Sequence, residues 1–285
     1  MPTVLTIGSL HYDIMIEATA LPRRDETAVG SRWYPKFGGT GGNQAVAVAR
    51  AGAHSRMAGA VGDDAFGQFL RDGLQQGRVD DRFVSTIPGT GSGMSVAIQD
   101  GQGDYAATIV SGANLCIAAE TLDDPALWQD VTLLVLQNEI TDATNLAAAR
   151  QARKRGIPTM LNAAPFRPLS PDLAALIDML VVNAVEAEMM GTAPVTDLPS
   201  AAQAAATLAP RFATVLVTAG SAGLACAGRG IDNFTVPAEQ VRVVSSHGAG
   251  DAFIGTLAAT LATGQSLQAA CRSAAQAAAR HVAGI

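Results

Sequence analysis

The residue types most able to do chemistry occur together at positions 246–253, where the sequence reads Ser-His-Gly-Ala-Gly-Asp-Ala-Phe. The small residues Gly248, Ala249 and Gly250 can turn the backbone so that several N–H groups point at one place. A helical pattern follows at once, and the positive end of a helix favours an anion such as a phosphate. Asp251 would repel that phosphate unless it receives a proton from an attacking hydroxyl, which indicates phosphoryl transfer. The alternative is an ordinary turn with Asp251 as a favourable charge on a helix start.

A second glycine-rich run, 38–42, leads into Asn43 and a helical pattern over 43–51. Its spacing fails the dinucleotide-binding pattern, because the third required glycine would fall at Gln44 and the run does not follow the first strand. Glycines let a ligand hydroxyl approach the backbone closely, and the Asn43 amide can both donate and accept a hydrogen bond. The run is also compatible with a hinge in which Asn43 caps the helix.

Asn183 and Glu186 lie where a strand pattern ends and a helix pattern begins. They can form a capping box, in which each side chain bonds the other residue's backbone N–H. The functional alternative is that they hold a phosphate and the water bound to Mg²⁺. The chain's two lysines, Lys36 and Lys154, lie outside any P-loop pattern. If ATP binds, backbone amides and Mg²⁺ would therefore carry most of the phosphate charge.

The composition favours one large α/β domain. The 285 residues are 48% hydrophobic, and from residue 133 onward strand patterns alternate with helix patterns. This alternation predicts a mostly parallel sheet with helices on both faces. A net charge of −6 argues against nucleic acid or an anionic membrane as partner. No basic segment precedes the first apolar stretch and no apolar run is long enough to span a bilayer, so a cytoplasmic location is expected.

Two β-rich segments, about 11–37 and 92–110, interrupt this alternation in the first half of the chain. They are expected to form a small sheet that acts as a lid over the strand ends. Residues 92–110 have the pattern of a hairpin, broken by Gly-Gln-Gly at 101–103. Because the edges of such a lid tend to pair with another copy, a homodimer through the lid is expected. The whole chain, 1–285, is predicted to be a single domain carrying this lid.

Six segments in this order along the chain resemble the PfkB (ribokinase-like) carbohydrate kinases, and the pattern is nearest to the ribokinase branch. They are Gly8-Ser9 with Asp13, 38–47, 161–165, 183–186, 218–223 and 246–253. The resemblance covers nearly the whole chain and implies a three-layer α/β/α fold with a small β lid. It also implies an ATP-dependent kinase that uses Mg²⁺ and transfers the γ-phosphate to a hydroxymethyl group of a carbohydrate.

The resemblance implies a role for each matching residue. Asp251 would be the catalytic base, and the anion hole would consist of Gly248, Ala249 and Gly250. The nucleotide would be bound by Asn183, Glu186, Thr218 and Gly220. Glu186 would also reach Mg²⁺ through a water molecule. The sugar would be bound by His11, Asp13, Gly39, Thr40, Asn43 and Glu139.

Departures from the family pattern concern the substrate and the cation requirement. Thr40 and His11 stand where ribokinases usually carry a lysine and an asparagine, so a different sugar or a nucleoside is an alternative substrate. Ser245 replaces an aspartate linked to a monovalent-cation site, and the chain stops at Ile285, so weak or absent activation by K⁺ is expected. From a different class, a sugar-binding sensor without turnover is the alternative to an enzyme.

Overall fold

The computed structural model describes residues 2–100 and 105–285. The strands within these ranges are β1 Thr3–Ile7, β2 His11–Ala18, β3 Gly30–Gly38, β4 His54–Gly62, β5 Asp80–Ile87, β6 Met94–Gln99, β7 Tyr105–Val110, β8 Val131–Gln137, β9 Thr159–Asn162, β10 Met179–Asn183, β11 Thr214–Thr218, β12 Gly223–Gly228 and β13 Phe234–Pro237. The α-helices are α1 Thr40–Arg50, α2 Ala65–Gln76, α3 Ala119–Asp123, α4 Asp142–Lys154, α5 Pro171–Ala174, α6 Ala184–Met189, α7 Leu198–Leu208, α8 Ala249–Ala262 and α9 Leu267–Ala283.

The large sheet has nine strands in the order β13-β12-β11-β10-β9-β8-β1-β4-β5. The strands from β11 to β5 run parallel, and β12 and β13 continue the sheet antiparallel to them. This confirms the expected α/β/α fold class with a mostly parallel sheet. The sequence analysis did not predict β5, β12 and β13. β5 and β13 are the outer strands and β12 lies next to β13; in β5 and β12, polar or small residues replace the apolar runs that mark central strands.

Side chains of the central strands alternate between two hydrophobic cores, one on each face of the sheet. In β8, Leu134 and Leu136 pack with residues of α4 and α7. Leu133 and Val135 point the other way and pack with residues of α8 and α9. Burying each such side chain contributes about 1.5–3 kcal/mol. The parallel sheet is therefore covered by helices on both faces, and its carboxyl edge is left for ligands.

The small sheet has the strand order β3-β2-β6-β7. Its strands fall in the two segments expected to form a lid, and β6 and β7 pair antiparallel as the hairpin pattern predicts. The Gly-Gln-Gly turn at 101–103 lies outside the described residues. Tyr12 anchors this sheet to α2, because its ring stacks on Phe66 at 4.0 Å and meets Phe69 edge-on at 4.8 Å.

Helix α1 begins at Thr40, earlier than the predicted start at Asn43, and Gly39 occupies its N-cap position with φ 87°. The expectation that Asn43 caps this helix is therefore wrong. The glycines in its first turn serve close packing: a Cβ on Gly41 would lie 2.6 Å from the backbone nitrogen of Ser9. The glycine-rich run brings α1 directly against the end of β1.

Polar residues end the central parallel strands. Gln137, Asn162, Asn183 and Thr218 are the last residues of β8, β9, β10 and β11, and Ser9 lies just past β1. Because these strands are parallel, their ends meet at one edge of the sheet. None of the helices in the described ranges is both long and apolar enough to cross a membrane.

Candidate active site

Asp251 is the third residue of α8, directly after the predicted anion-hole residues. Gly248 is the N-cap residue and has a left-handed conformation, φ 83° and ψ 1°, which suits glycine. The Ala249 N–H donates to the carbonyl of Ser246 at 3.2 Å. In the described part of the chain, the N–H groups of Gly250 and Asp251 have no acceptor, as expected for a first helical turn. This turn can therefore bind an anion.

The carboxylate of Asp251 is held by two amide groups of α1. Asn43 Nδ2 donates to Oδ2 at 3.2 Å, and Gln44 Nε2 donates to Oδ1 at 3.2 Å. The two glycine-rich segments, far apart in sequence, thus meet in the structure. Burial raises the pKa of Asp251 to about 7, and the charge of Glu139 adds to this, while the two amide donors oppose it. A pKa near neutrality suits a general base.

Gln44 and Asn162 belong to this site although the sequence analysis did not assign them to it. Besides Asp251, Gln44 Nε2 contacts Asn162 Oδ1 at 3.0 Å, and Asn162 Nδ2 contacts the Val181 carbonyl at 3.4 Å. Through Gln44 of α1, these bonds connect the start of α8 to the last residue of β9 and to Val181 in β10. The sequence signal for them was that Gln44 and Asn162 lie in segments 38–47 and 161–165, two of the six that resemble the family.

Asp13 lies on β2 with 6% of its surface exposed. Ser95 Oγ donates to Asp13 Oδ1 at 2.5 Å. Burial raises the pKa of Asp13, although the Ser95 hydroxyl lowers it. Gly38 has no room for a Cβ beside this carboxylate. Asp13 is thus fixed on the small sheet as a hydrogen-bond acceptor at the side of the site.

Glu139 joins the start of α1 to β1. Its Oε2 accepts bonds from Ser9 Oγ at 2.5 Å and from the Thr40 N–H at 2.9 Å. His11 Nδ1 lies 3.7 Å from the same oxygen. His11 is only 2% exposed. A Cβ on Gly39 would lie 2.7 Å from the His11 nitrogen, so the two backbones are in close contact.

The residues expected to bind nucleotide lie together at the ends of β10 and β11. Asn183 and Glu186 form a capping box, with the Asn183 N–H donating to Glu186 Oε2 at 2.9 Å and the Glu186 N–H donating to Asn183 Oδ1 at 2.9 Å. Burial raises the pKa of Glu186. Thr218 pairs with Asn183 in the sheet register, and Gly220 follows with φ 53°. One of the two carboxylate oxygens of Glu186, Oε2, thus accepts a hydrogen bond within the capping box.

The residues of this site suit a Mg²⁺ ion only if phosphates and water supply most of its ligands. No group of three or more His, Cys, Asp or Glu residues that could hold a metal occurs in the described ranges. Mg²⁺ in phosphate-binding sites commonly keeps several waters and uses one or two carboxylates. Glu186 offers a single carboxylate of this kind.

Residues 1–283 match the pfkB family of carbohydrate kinases. The chain belongs to this family. Ribokinase from Mus musculus is 33% identical over 263 residues, covering 91% of this chain and 81% of the mouse protein. Deoxyribokinase from Salmonella typhi is 31% identical over 274 residues, covering 95% of this chain and 89% of that protein.

Among solved structures, Arabidopsis thaliana ribokinase complexed with ribose and ATP has a TM-score of 0.90 and 28% identity. The alignment covers 99% of this chain and 92% of the Arabidopsis chain. The expected ribokinase-like fold and family are confirmed. This pfkB family member is accordingly an ATP-dependent sugar kinase, a phosphotransferase with an alcohol group as acceptor.

Proposed function

We propose that this kinase phosphorylates the hydroxymethyl group of a pentose related to ribose, with Asp251 as the catalytic base. One observation carries the proposal: Asn43 and Gln44 fix the Asp251 carboxylate beside the unbonded N–H groups at the start of α8. The family relatives named ribokinase and deoxyribokinase favour a pentose as the acceptor.

In the proposed reaction, the hydroxymethyl oxygen of the sugar forms a bond to the γ-phosphorus of ATP. The bond from that phosphorus to the bridging oxygen breaks, and its electron pair leaves with ADP. The hydroxyl proton passes to Asp251, whose pKa of about 7 allows it to be ionised beforehand at neutral pH. In a loose transition state, most of the acceleration comes from alignment and from donors around the phosphoryl group. The turn of Gly248, Ala249 and Gly250 forms the proposed anion hole.

The remaining site residues divide between the two substrates. Sugar hydroxyls are bound on the side lined by His11, Asp13, Gly39, Thr40, Asn43 and Glu139. ATP lies along the ends of β10 and β11, against Asn183, Glu186, Thr218 and Gly220. Mg²⁺ bound to the phosphates would neutralise part of their charge, with Glu186 holding it through water. The support for this division is that each group is contiguous in the fold.

The small sheet is proposed to act as a lid over the sugar and to pair with the small sheet of a second copy. It carries Asp13 toward the site, while Trp33 on its edge strand β3 is 63% exposed and Val110 on the opposite edge strand β7 is also exposed. Exposed apolar edge strands favour pairing between chains. A homodimer located in the cytoplasm is part of the same proposal.

Activation by K⁺ is expected to be weak or absent. Two groups that could bind a cation near the anion hole have protein donors instead: the Val282 carbonyl accepts the N–H groups of Val244 and Ser245, and His281 Nε2 bonds the His247 carbonyl at 2.9 Å. The initial rate should stay flat when K⁺ replaces a large organic cation at constant ionic strength. A large stimulation would contradict this expectation.

The function is tested by measuring ADP release with a panel of D-ribose, 2-deoxy-D-ribose, hexoses and nucleosides. The proposal expects the highest kcat/KM for a pentose and a product phosphorylated on its hydroxymethyl oxygen. If a nucleoside has a higher kcat/KM than every pentose, the pentose is the wrong substrate and the nucleoside alternative is correct. Thermal stabilisation by a sugar without any ADP release would favour the sensor.

A further inference from the structure

Lys36 is a half-buried cation that has no assigned role. It lies on β3, opposite Asp13 on β2 in the antiparallel register, so both side chains are on the same face of the small sheet. It is one of two lysines in the chain. Among the described residues, no carboxylate lies within ion-pair distance of its ammonium group.

The charge of Lys36 acts toward the part of the site where phosphoryl transfer is proposed. Burial lowers the pKa of Lys36, and the carboxylates of Asp13 and Asp251 oppose this by attracting the ammonium group. Partial burial and then the charge of Lys36 lower the pKa of His247, which directly precedes the anion-hole turn. Through their charges, residues of β2, of α8 and of the segment before α8 interact with the ammonium group.

A lysine in this position differs from an ordinary surface lysine. Lysine usually extends its ammonium group into water or pairs it with one carboxylate. Lys36 is partly removed from water and yet lacks a partner at contact distance. Asp13 is its cross-strand neighbour on the same face of the small sheet, and the charge of Asp251 also attracts it. An anion placed at the start of α8 would supply the missing partner.

We propose that the Lys36 ammonium group binds the phosphoryl group while it moves from ATP to the sugar. This inference rests on the proposed function. The transfer is the one described above, in which the proton goes to Asp251; Lys36 gives up no proton and offsets the charge on the phosphoryl oxygens. The small sheet would thereby supply the cation that a P-loop lysine supplies in other nucleotide-binding proteins.

The kinetic test compares Lys36→Met and Lys36→Arg with the matched control Lys154→Met. Lys154 is exposed in the last turn of α4, so its loss should leave the rate unchanged. Lys36→Met should lower kcat about 100-fold, the usual effect of removing one transition-state donor, with little change in the KM for sugar. Lys36→Arg should recover most of the rate. A folded Lys36→Met enzyme with kcat near that of the wild type would overturn the inference.

The pH profile gives a readout that a purely structural lysine would not change. Asp13, Asp251 and His247 are the titratable groups that face Lys36. Wild-type activity should decline at alkaline pH as the ammonium group loses its proton, at a pH below the ordinary range of lysine. Since arginine stays charged, Lys36→Arg should remove this decline. An unchanged alkaline limb in Lys36→Arg would count against the proposal.

A spectroscopic test uses the wild-type protein and does not depend on turnover. Reductive ¹³C-methylation labels both lysines, and a Lys154→Arg variant assigns their resonances. MgADP with aluminium fluoride and D-ribose, a mimic of the moving phosphoryl group, should shift the Lys36 resonance and leave that of Lys154 in place. If ADP binds and the Lys36 resonance does not shift, this inference is wrong and the proposed function is unaffected. If calorimetry shows that ADP does not bind at all, both the proposed function and this inference are wrong.

Discussion

Asp251 acquires its chemistry from the groups around its carboxylate. Burial and the nearby Glu139 favour the protonated form, while the amides of Asn43 and Gln44 favour the ionised form. The balance leaves a pKa of about 7, far from the ordinary range of aspartate. Such a group can be ionised before the sugar binds and still accept a proton late in phosphoryl transfer.

Replacing this residue should abolish turnover without unfolding the protein. Asp251→Asn is expected to lower kcat by about 10³-fold, because proton acceptance and alignment are lost together. The affinity for ATP, measured by calorimetry, should change little. Asp72→Asn, at an exposed position of α2, is the matched control and should retain full activity. Near-normal turnover of Asp251→Asn would show that this carboxylate takes no part in the reaction.

The raised pKa of Asp251 also predicts how stability depends on pH. Its pKa is about 7 in the folded protein and 3.8 by reference, so between these values the folded state binds more protons than the unfolded state. The free energy of unfolding contributed by this residue therefore falls as the pH rises through that window. The Tm of the wild type should drop relative to Asp251→Asn between about pH 4 and pH 7. Parallel Tm curves for the two proteins would contradict the raised pKa.

At the scale of elements, the site depends on the close contact of α1 with α8. Gly255 makes the contact possible, because a Cβ there would lie 2.7 Å from the Gln44 carbonyl. Both amides that hold Asp251 come from α1, while Asp251 itself comes from α8. The spacing of two helices thus sets the position of the Asp251 carboxylate.

Widening this contact should damage both stability and activity. Gly255→Ala is expected to cost about 1–3 kcal/mol, the usual effect of overpacking. The Tm should fall by several degrees, at about 2–4 °C per kcal/mol. The value of kcat should fall as well, since Asn43 and Gln44 move away from Asp251. Gly91→Ala is the control, because its Cβ would meet only Asp64 Oδ2 at 3.9 Å. Equal behaviour of the two variants would refute the role of this contact.

At the scale of the whole molecule, the residues proposed to bind the substrates come from both sheets. The large sheet places Asn162, Asn183 and Thr218 at its carboxyl edge, and the small sheet holds Asp13 and Lys36 on one of its faces. The aromatic contacts of Tyr12 with α2 tie the small sheet to the rest of the fold. This arrangement leaves the edge strands β3 and β7 free to pair with another copy.

The assembly can be tested without reference to activity. Light scattering should give the mass of a dimer for the wild type, and Trp33→Ser should shift it toward the monomer. Met189→Ser is the control: Met189 is 56% exposed, and its helix α6 packs on β10 and β11 rather than on the small sheet. A wild-type monomer at all concentrations would rule out the dimer. A dimer that Trp33→Ser leaves intact would rule out the small sheet as its interface.

The sequence by itself determined the alternation of strands and helices and the position of each glycine-rich segment. These are local properties, since apolar periodicity and glycine spacing are visible within a few residues. The same local information identified Asp251, Asn43, Asn183 and Glu186 as candidates, and the family was evident from the order of six segments. It did not predict the edge strands, whose burial depends on distant neighbours.

Only the tertiary structure decided which of these residues meet. Asn43 and Gln44 lie more than 200 positions from Asp251, and their contact arises because α1 and α8 pack without a side chain at Gly255. The pKa of Asp251 follows from that packing, because burial and neighbouring charges act through space. No sequence motif marks Lys36, and the pairing of β2 with β3 places it on the same face of the small sheet as Asp13.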